Sequence, residues 1–263
     1  GVILGTGVGP MESMEEFANP LFDEGPAAAN PAVFPNTVYN AAAGQVAIKL
    51  GLIGPTSTVT AGHAAGLHAL QYAAELARAD HADVMVALAA DALTDTVAAA
   101  YRQIVGDAFA LAESAVAIVC ERASHAEARG ARIYGQILGT GIASDGLGAM
   151  RWSADGEGME RAVRAALADA EVDAHDLAAV YTSAAGLERA DSAEAAALDR
   201  VLGDTVLQVA PKKTLGEPMG VGGALCSALA LLSYDRGGDT AGGPVLMTSS
   251  SLGGTHFVVV LGP

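Results

Sequence analysis

Residues 58–70 read TVTAGHAAGLHAL, and this stretch decides the fold. A β-branched run stops at Ala61-Gly62, His63 follows, and an apolar segment rich in small residues predicts a helix over 63–79. A strand, a glycine turn and a helix in that order make an elbow that holds one side chain at its tip. Elbows of this shape commonly present a serine or cysteine nucleophile. Here the tip is His63.

On the N-terminal side of the elbow, residues 2–6 read as a strand running into the glycine turn GTGVGP (5–10). Its spacing departs from the G-x-G-x-x-G dinucleotide fingerprint, so it reads as a turn at a sheet edge. Residues 36–51 predict a helix, with Asn36 as N-cap after Pro35 and Gly51 as its stop. TSTVTA (56–61) predicts the strand that feeds the elbow. DVMVALAAD (83–91) predicts a strand buried on both faces, because its apolar run hardly alternates. SAVAIVCE (114–121) is a further strand, and ASHAEARG a short helix ended by Gly130.

The pattern then repeats in outline. RIYGQILGTGIAS predicts a long strand, GMERAVRAALADA a helix, DLAAVYTSA a strand, SAEAAALDRVLG a helix and TVLQVAP a strand. GVGGALCSALALLSYD predicts an apolar helix opened by glycines. GPVLMTSSS and THFVVVLG predict a closing hairpin around Gly253-Gly254. Strands alternate with helices in both halves, so the class is α/β with helix-covered sheets.

Composition narrows the function. The chain has 263 residues, 51% of them hydrophobic, enough for one large or two small cores. The formal net charge is −16 and the only lysines are Lys49, Lys212 and Lys213, which argues against nucleic acid and anionic membranes as partners. No apolar run reaches the ~20 residues of a membrane span. Cys120 and Cys226 lie in apolar runs and read as buried free thiols, which implies a reducing compartment, the cytoplasm. GVILGTGVGP looks like a chain entering mid-strand, with something upstream missing or supplied by a partner.

The six histidines form no metal-ligand spacing, so neither a metal nor a cofactor is predicted. TSSSLGGTH (248–256) offers serines but lacks G-x-S-x-G; it reads as a glycine-rich loop whose backbone N–H groups can point into a pocket. APKKTLGEPMGVGG (210–223) places a lysine pair before Gly216-Glu217 and a glycine-opened helix.

Taken in order, GTGVGPMES, NTVYNAAAGQVAIKLGLIGPTSTVTAGHAAGLHAL, ADVMVALAADAL, SAVAIVCERASHAEARGARIYGQILGTGIASDG, KKTLGEPMGVGG and SSLGGTHFVVVL resemble the blocks of the β-ketoacyl synthase branch of the thiolase-like fold. The resemblance implies a layered α-β-α-β-α architecture of two pseudo-repeated halves, here 1–128 and 129–263, with the N-terminal half incomplete, lacking its first strand and helix. In that family a cysteine at the elbow takes the acyl chain, and two histidines support decarboxylation and condensation. By resemblance the cysteine place holds His63, the first histidine place Ala185 before Gly186, and the second Glu217. The family lysine is Lys212, Asp191 and Glu194 keep the acidic helix start, and Leu252 stands at the gating phenylalanine. The backbone N–H groups of His63 and Leu252 match the oxyanion hole.

An imidazole at 63 with no neighbouring acid or base, an alanine at 185 and a carboxylate at 217 imply that the chain is silent in condensation. Such a set is similar to the chain length factors of type II polyketide synthases, whose HAAGLHAL-like elbow usually starts with glutamine. The resemblance implies a heterodimer with an active ketosynthase α subunit, reached by an acyl carrier protein through the complex. The strand Thr56, Ser57, Thr58, Val59, Thr60 and Ala61 would pair across the dimer. Met11, Met14, Phe17 and Phe34 would form a tunnel floor that limits polyketide or polyene length. The alternatives are a decarboxylating or priming ketosynthase-like enzyme, and a homodimeric scaffold for an acyl carrier protein.

Overall fold

β1 (Val2–Gly5) is short and wholly buried, and its glycine end turns into α1 (Met11–Glu24). α2 (Ala41–Leu50), β2 (Thr56–Val59), α3 (Ala65–Arg78), β3 (Val84–Asp91), α4 (Asp95–Val105), β4 (Ser114–Glu121) and α5 (Ala123–Ala128) complete the first half. The second contains β5 (Gln136–Ser144), α6 (Glu157–Ala170), β6 (Ala179–Tyr181), α7 (Glu188–Leu202) and β7 (Leu207–Val209). α8 (Lys212–Leu215), α9 (Gly222–Arg236), β8 (Val245–Ser250) and β9 (Thr255–Gly262) follow. These elements come from a computed structural model that describes residues 1–238, 240 and 242–263.

The first sheet runs β2-β1-β3-β4, with β1 parallel to β2 and β3, and β4 antiparallel to β3. The second runs β5-β9-β8-β6-β7, with β6 parallel to β7 and β8, and β9 antiparallel to β8 and β5. In order and sense, β7-β6-β8-β9 repeats β2-β1-β3-β4. Only β5 has no counterpart in the first sheet among the described residues. Its place there would be the free edge of β4.

One apolar cluster joins the two sheets: Ile3, Met85 and Ala87 on one side, Val245, Met247 and Val259 on the other, with Leu67, Leu70 and Ala73 of α3 and Cys226 and Ala230 of α9 between. A second cluster packs α6 and α7 on the opposite face of the second sheet, through Met159, Val163, Leu198, Leu246 and Val258. α2 lies against β1 and β2. The result is the layered α-β-α-β-α fold of two pseudo-repeated halves. Small residues let the layers meet: a Cβ on Gly66 of α3 would stand 2.7 Å from the Gly220 carbonyl oxygen, and one on Gly141 of β5 would stand 2.0 Å from that of Ala162.

The GTGVGP turn is a structural knot. Asp91, at the end of β3, accepts from the N–H groups of Gly7 (2.8 Å), Val8 (3.2 Å) and Gly220 (2.8 Å) and from the Thr6 hydroxyl. One carboxylate thus ties three backbone donors from the two halves, and the close approach it enforces explains why the turn carries glycine.

Several boundaries differ from the sequence reading. α2 starts at Ala41, not Asn36; Asn36 ends a 3₁₀ turn, and Asn40 precedes the helix without a side-chain cap. Gly51 does stop it, in the left-handed conformation (φ 64°). β3 alternates between fully and partly buried residues rather than being buried on both faces, because no helix covers the Val84, Val86, Leu88 side as closely as α3 covers the other. β2 stops at Val59. Thr60 and Ala61 leave the sheet as Ala61 (φ −108°, ψ 31°) abandons extended geometry for the 3₁₀ turn Gly62–Ala64. Cys120 and Cys226 are buried free thiols, each pushed up to about 12 by burial. No described helix is long and apolar enough to cross a membrane.

Candidate functional site

The elbow sits where β2 ends, with Gly62 at φ 54° turning the chain and Ala64, Ala65 and Gly66 packed without exposure beneath it. His63 projects from this turn into the interior. It lines a small cleft of about 30 Å³ together with Phe109, Trp152, Ala185, Glu194, Lys212, Glu217, Ser250 and Leu252. The cleft lies between the two halves, at the C-terminal ends of β6 and β8, the usual place for a site in an α/β sheet.

His63 is hydrogen-bonded through one ring nitrogen and turns the other toward a carboxylate. Its Nε2 lies 2.7 Å from the Tyr101 hydroxyl, the two rings stack at 5.6 Å, and Phe109 meets the imidazole edge-on at 6.1 Å. Its Nδ1 faces Glu217 Oε2 at 3.6 Å. Burial pushes the Tyr101 phenol up, so it stays protonated and donates to Nε2. The imidazole proton then sits on Nδ1, toward Glu217. Burial lowers the His63 pKa below its ordinary value of 6.5, and Lys212 adds to this, despite Glu217 and Asp91.

Glu217 has a second partner: Lys212 Nζ donates to its Oε2 at 2.7 Å, with both side chains at 5% exposure or less. Burial opposes the Lys212 charge, but Glu217 outweighs it and the ammonium pKa rises. Asp191 accepts from the N–H groups of Ala185 (3.3 Å) and Gly186 (2.9 Å), so the Ala-Gly block is a capped turn rather than a donor loop. Glu194 accepts from the Ser183 N–H (2.9 Å) and the Thr248 hydroxyl; burial raises its pKa despite those bonds.

This geometry and the repeated α/β topology place an elbow tip, a lysine and a glycine-opened helix around one cleft. The matching family models are Beta-ketoacyl synthase, N-terminal domain, over residues 1–105, and Beta-ketoacyl synthase, C-terminal domain, over 134–237. The chain belongs to the β-ketoacyl synthase family. A 3-oxoacyl-(acyl-carrier-protein) synthase 2 of Rhizobium meliloti is 34% identical over 259 residues, covering 88% of this chain and 61% of the relative. That of Vibrio cholerae is 30% identical over 257 residues, with 89% and 62% covered. The chain thus spans about three-fifths of the length of these curated relatives. Among solved structures, a type II polyketide synthase acyl-carrier protein in complex with its ketosynthase bound to the hexaketide contains a chain that superposes with a TM-score of 0.94 at 22% identity, covering 100% of this chain and 77% of that one. The ishigamide ketosynthase/chain length factor gives 0.90 at 23%, with 99% and 74% covered.

Within this β-ketoacyl synthase chain, the cleft brings together His63, Ala185, Glu217, Lys212 and Leu252. The N–H groups of His63 and Leu252 have no partner among the described residues. One expectation is corrected: His63 does have a neighbouring acid and a hydroxyl, Glu217 and Tyr101, because α4 carries Tyr101 to the elbow and the loop after it, with Phe109, pairs with the Glu217 backbone through Ala110 and Ala112. Met11, Met14, Phe17 and Phe34 lie outside the cleft. Phe17 and Phe34 pack on each other at 5.4 Å, Phe34 is 56% exposed, and α1 buries no residue fully. Tyr101, Phe109 and Trp152 were not legible as site residues, since aromatic residues in a helix or loop read as core without the tertiary contact.

Proposed function

We propose that this chain is a ketosynthase-like subunit silent in condensation, a chain length factor that pairs with an active ketosynthase and shapes the tunnel for a growing polyketide or polyene. The observation that carries the reading is the occupied elbow: His63 is wedged between Tyr101 and Glu217 where a thiolate would take the acyl group. Neither cysteine is among the residues that line the cleft, and burial leaves both thiols too basic to ionise near neutrality. Ala185 offers no imidazole to a developing enolate, and the Glu217 position supplies a carboxylate engaged by Lys212 rather than a hydrogen-bond donor.

The partner reading rests on β2, an edge strand of the first sheet. Ile48, Leu50 and Ile53 beside it are 76%, 63% and 101% exposed, a cluster of apolar side chains suited to burial against another subunit. Thr56–Val59 supplies the pairing edge. α1, with Met11, Met14 and Phe17 only partly buried, faces outward, where a floor would close a partner's cavity rather than this chain's own. An acyl carrier protein reaches this chain through the complex.

The test is co-expression with a ketosynthase that retains its cysteine and two histidines. The reading predicts a stable heterodimer in which chain elongation requires both subunits, and in which restoring cysteine at residue 63 is not needed for turnover. Malonyl-thioester decarboxylation or condensation by this chain alone would overturn it and favour the priming-enzyme reading; a homodimer with no ketosynthase affinity would favour the scaffold.

A further inference from the structure

Behind the elbow, the closing hairpin builds a second constellation that the condensation chemistry does not use. Ser250 ends β8 and stands directly across the ladder from His256 of β9. Ser250 Oγ and His256 Nδ1 are 2.9 Å apart. His256 Nε2 lies 3.2 Å from Asp145 Oδ2, at ion-pair distance and off the line of a good hydrogen bond. Asp145 is oriented from behind by the Ser153 N–H on the same oxygen (2.9 Å), and its side chain is 1% exposed. Gly158 at the start of α6 leaves the space: a Cβ there would stand 2.0 Å from Asp145 Oδ1 and 3.0 Å from the His256 ring. Ser250 itself lines the cleft shared with Leu252 and His63, whose backbone N–H groups have no partner among the described residues.

We propose that Ser250, His256 and Asp145 form a serine acyl-transfer site that hydrolyses short acyl thioesters or esters entering this cleft. A serine within reach of an imidazole that a buried carboxylate orients is the arrangement that activates a hydroxyl, whatever the fold or the chain order. His256 accepts the Oγ proton at Nδ1 while Oγ bonds to the thioester carbonyl carbon. The carbon–sulfur bond breaks and the thiolate leaves with the proton returned from His256. Water, deprotonated by the same nitrogen, then attacks the acyl-serine, releasing a carboxylic acid and regenerating the Ser250 hydroxyl. The N–H groups of Leu252 and His63 border the cavity where the oxyanion develops. The free space in the cleft, about 30 Å³, is little more than room for a couple of water molecules, which admits only the carbonyl end of the shortest acyl groups. Burial lowers the His256 pKa, against Asp145 and with Arg161, which keeps the ring neutral as a base at pH 7. This site does not depend on the chain length factor reading, since hydrolysis needs neither elongation nor a ketosynthase.

The intact chain is incubated with a fluorophosphonate and, separately, with acetyl- and butyryl-N-acetylcysteamine. The expected result is a phosphonylated peptide carrying Ser250, and thioester hydrolysis that falls at least about a hundredfold in Ser250→Ala and in His256→Asn. Asp145 acts through His256 as a positioning residue, so Asp145→Asn lowers kcat with KM little changed and moves the acid limb of the pH profile. Should Ser250→Ala unfold the hairpin, Ser250→Cys replaces it: iodoacetamide alkylates this cysteine at pH 7 at a rate that drops when His256→Asn is added. Label elsewhere or nowhere, hydrolysis unchanged in Ser250→Ala, or alkylation indifferent to His256 would each overturn the assignment. The last two outcomes reduce the pair to a hydrogen bond that ties the hairpin.

Discussion

Glu217 is a buried carboxylate with a cation on one side and a neutral imidazole on the other. Removing its charge leaves the Lys212 ammonium buried without a partner. Glu217→Gln is therefore expected to lower stability by about 3–5 kcal/mol, whereas the double change Lys212→Met with Glu217→Leu, which removes both charges, loses much less. Urea unfolding of the two variants checks this; equal losses would mean that the pair does not hold the site. His63 gives a prediction in pH. Its folded pKa lies below the ordinary 6.5, as do those of His68 and His256, in each case because of burial. The unfolded chain takes up these protons first as pH falls, so stability is full above about pH 7 and declines as pH drops below 6.5. Glu194 runs the other way: its raised folded pKa makes its burial a cost above the carboxylate range that is relieved in acid. Comparing wild type with His63→Gln cancels that common contribution. The variant should show a shallower loss of stability between pH 7 and pH 5, read by thermal denaturation across the range; parallel curves would mean that His63 does not titrate with unfolding.

At the scale of elements, the elbow depends on how closely α3 approaches its neighbours. Gly66 meets the Gly220 carbonyl on one side and Ala89 of β3 on the other, both within 3.0 Å of where a Cβ would be. Gly66→Val should push α3 away from the 3₁₀ turn that opens α9, displacing His63, and cost about 1–3 kcal/mol as overpacking. Gly51 is the contrast: it needs its positive φ, but a Cβ there meets nothing within 4 Å. Gly51→Asn should cost only a few tenths of a kcal/mol, and Gly51→Val about 1–2 kcal/mol, from backbone strain alone. Melting temperatures of the three variants separate packing from conformation. The elements themselves were largely readable: β4 and the closing hairpin fall where alternation and turn residues put them. The miss at α2 has a local cause. Asn36 follows a proline and looks like a cap, yet a 3₁₀ turn at Phe34–Asn36 takes up the chain and the helix waits for the alanine run at 41. α4 went unread because its amphipathic spacing is carried mostly by alanines, which pack in helices and strands alike.

For the whole molecule, the exposed surface around β2 is where the proposed assembly is tested. Ile48→Glu and Ile53→Glu alter side chains with little burial in this chain. They should leave its melting temperature within about 2 °C, since exposed substitutions usually shift stability by under 0.5 kcal/mol. In the proposed heterodimer the same changes bury a charge and should prevent co-purification with the ketosynthase. Size-exclusion chromatography with light scattering reads both states; a heterodimer that survives both substitutions places the interface elsewhere. The outer edge of β4 is also unpaired among the described residues, where the second sheet has β5. Its residues alternate toward solvent, with Val119 at 57% exposure.

By itself the sequence determined the α/β class, the order of most strands and helices, and the identity of the residues at the elbow and its partner blocks. These are local signals: periodicity, glycine turns and the order of short motifs follow from neighbouring residues along the chain. Only the tertiary structure decided what those residues meet. That Tyr101 holds His63 on one side while Glu217 faces it on the other, that Lys212 neutralises Glu217, and that Ser250 and His256 meet across a ladder with Asp145 behind them depends on segments up to more than a hundred residues apart. Hydrogen bonding and burial act through space, and their partners have no fixed spacing in the chain for a sequence to reveal.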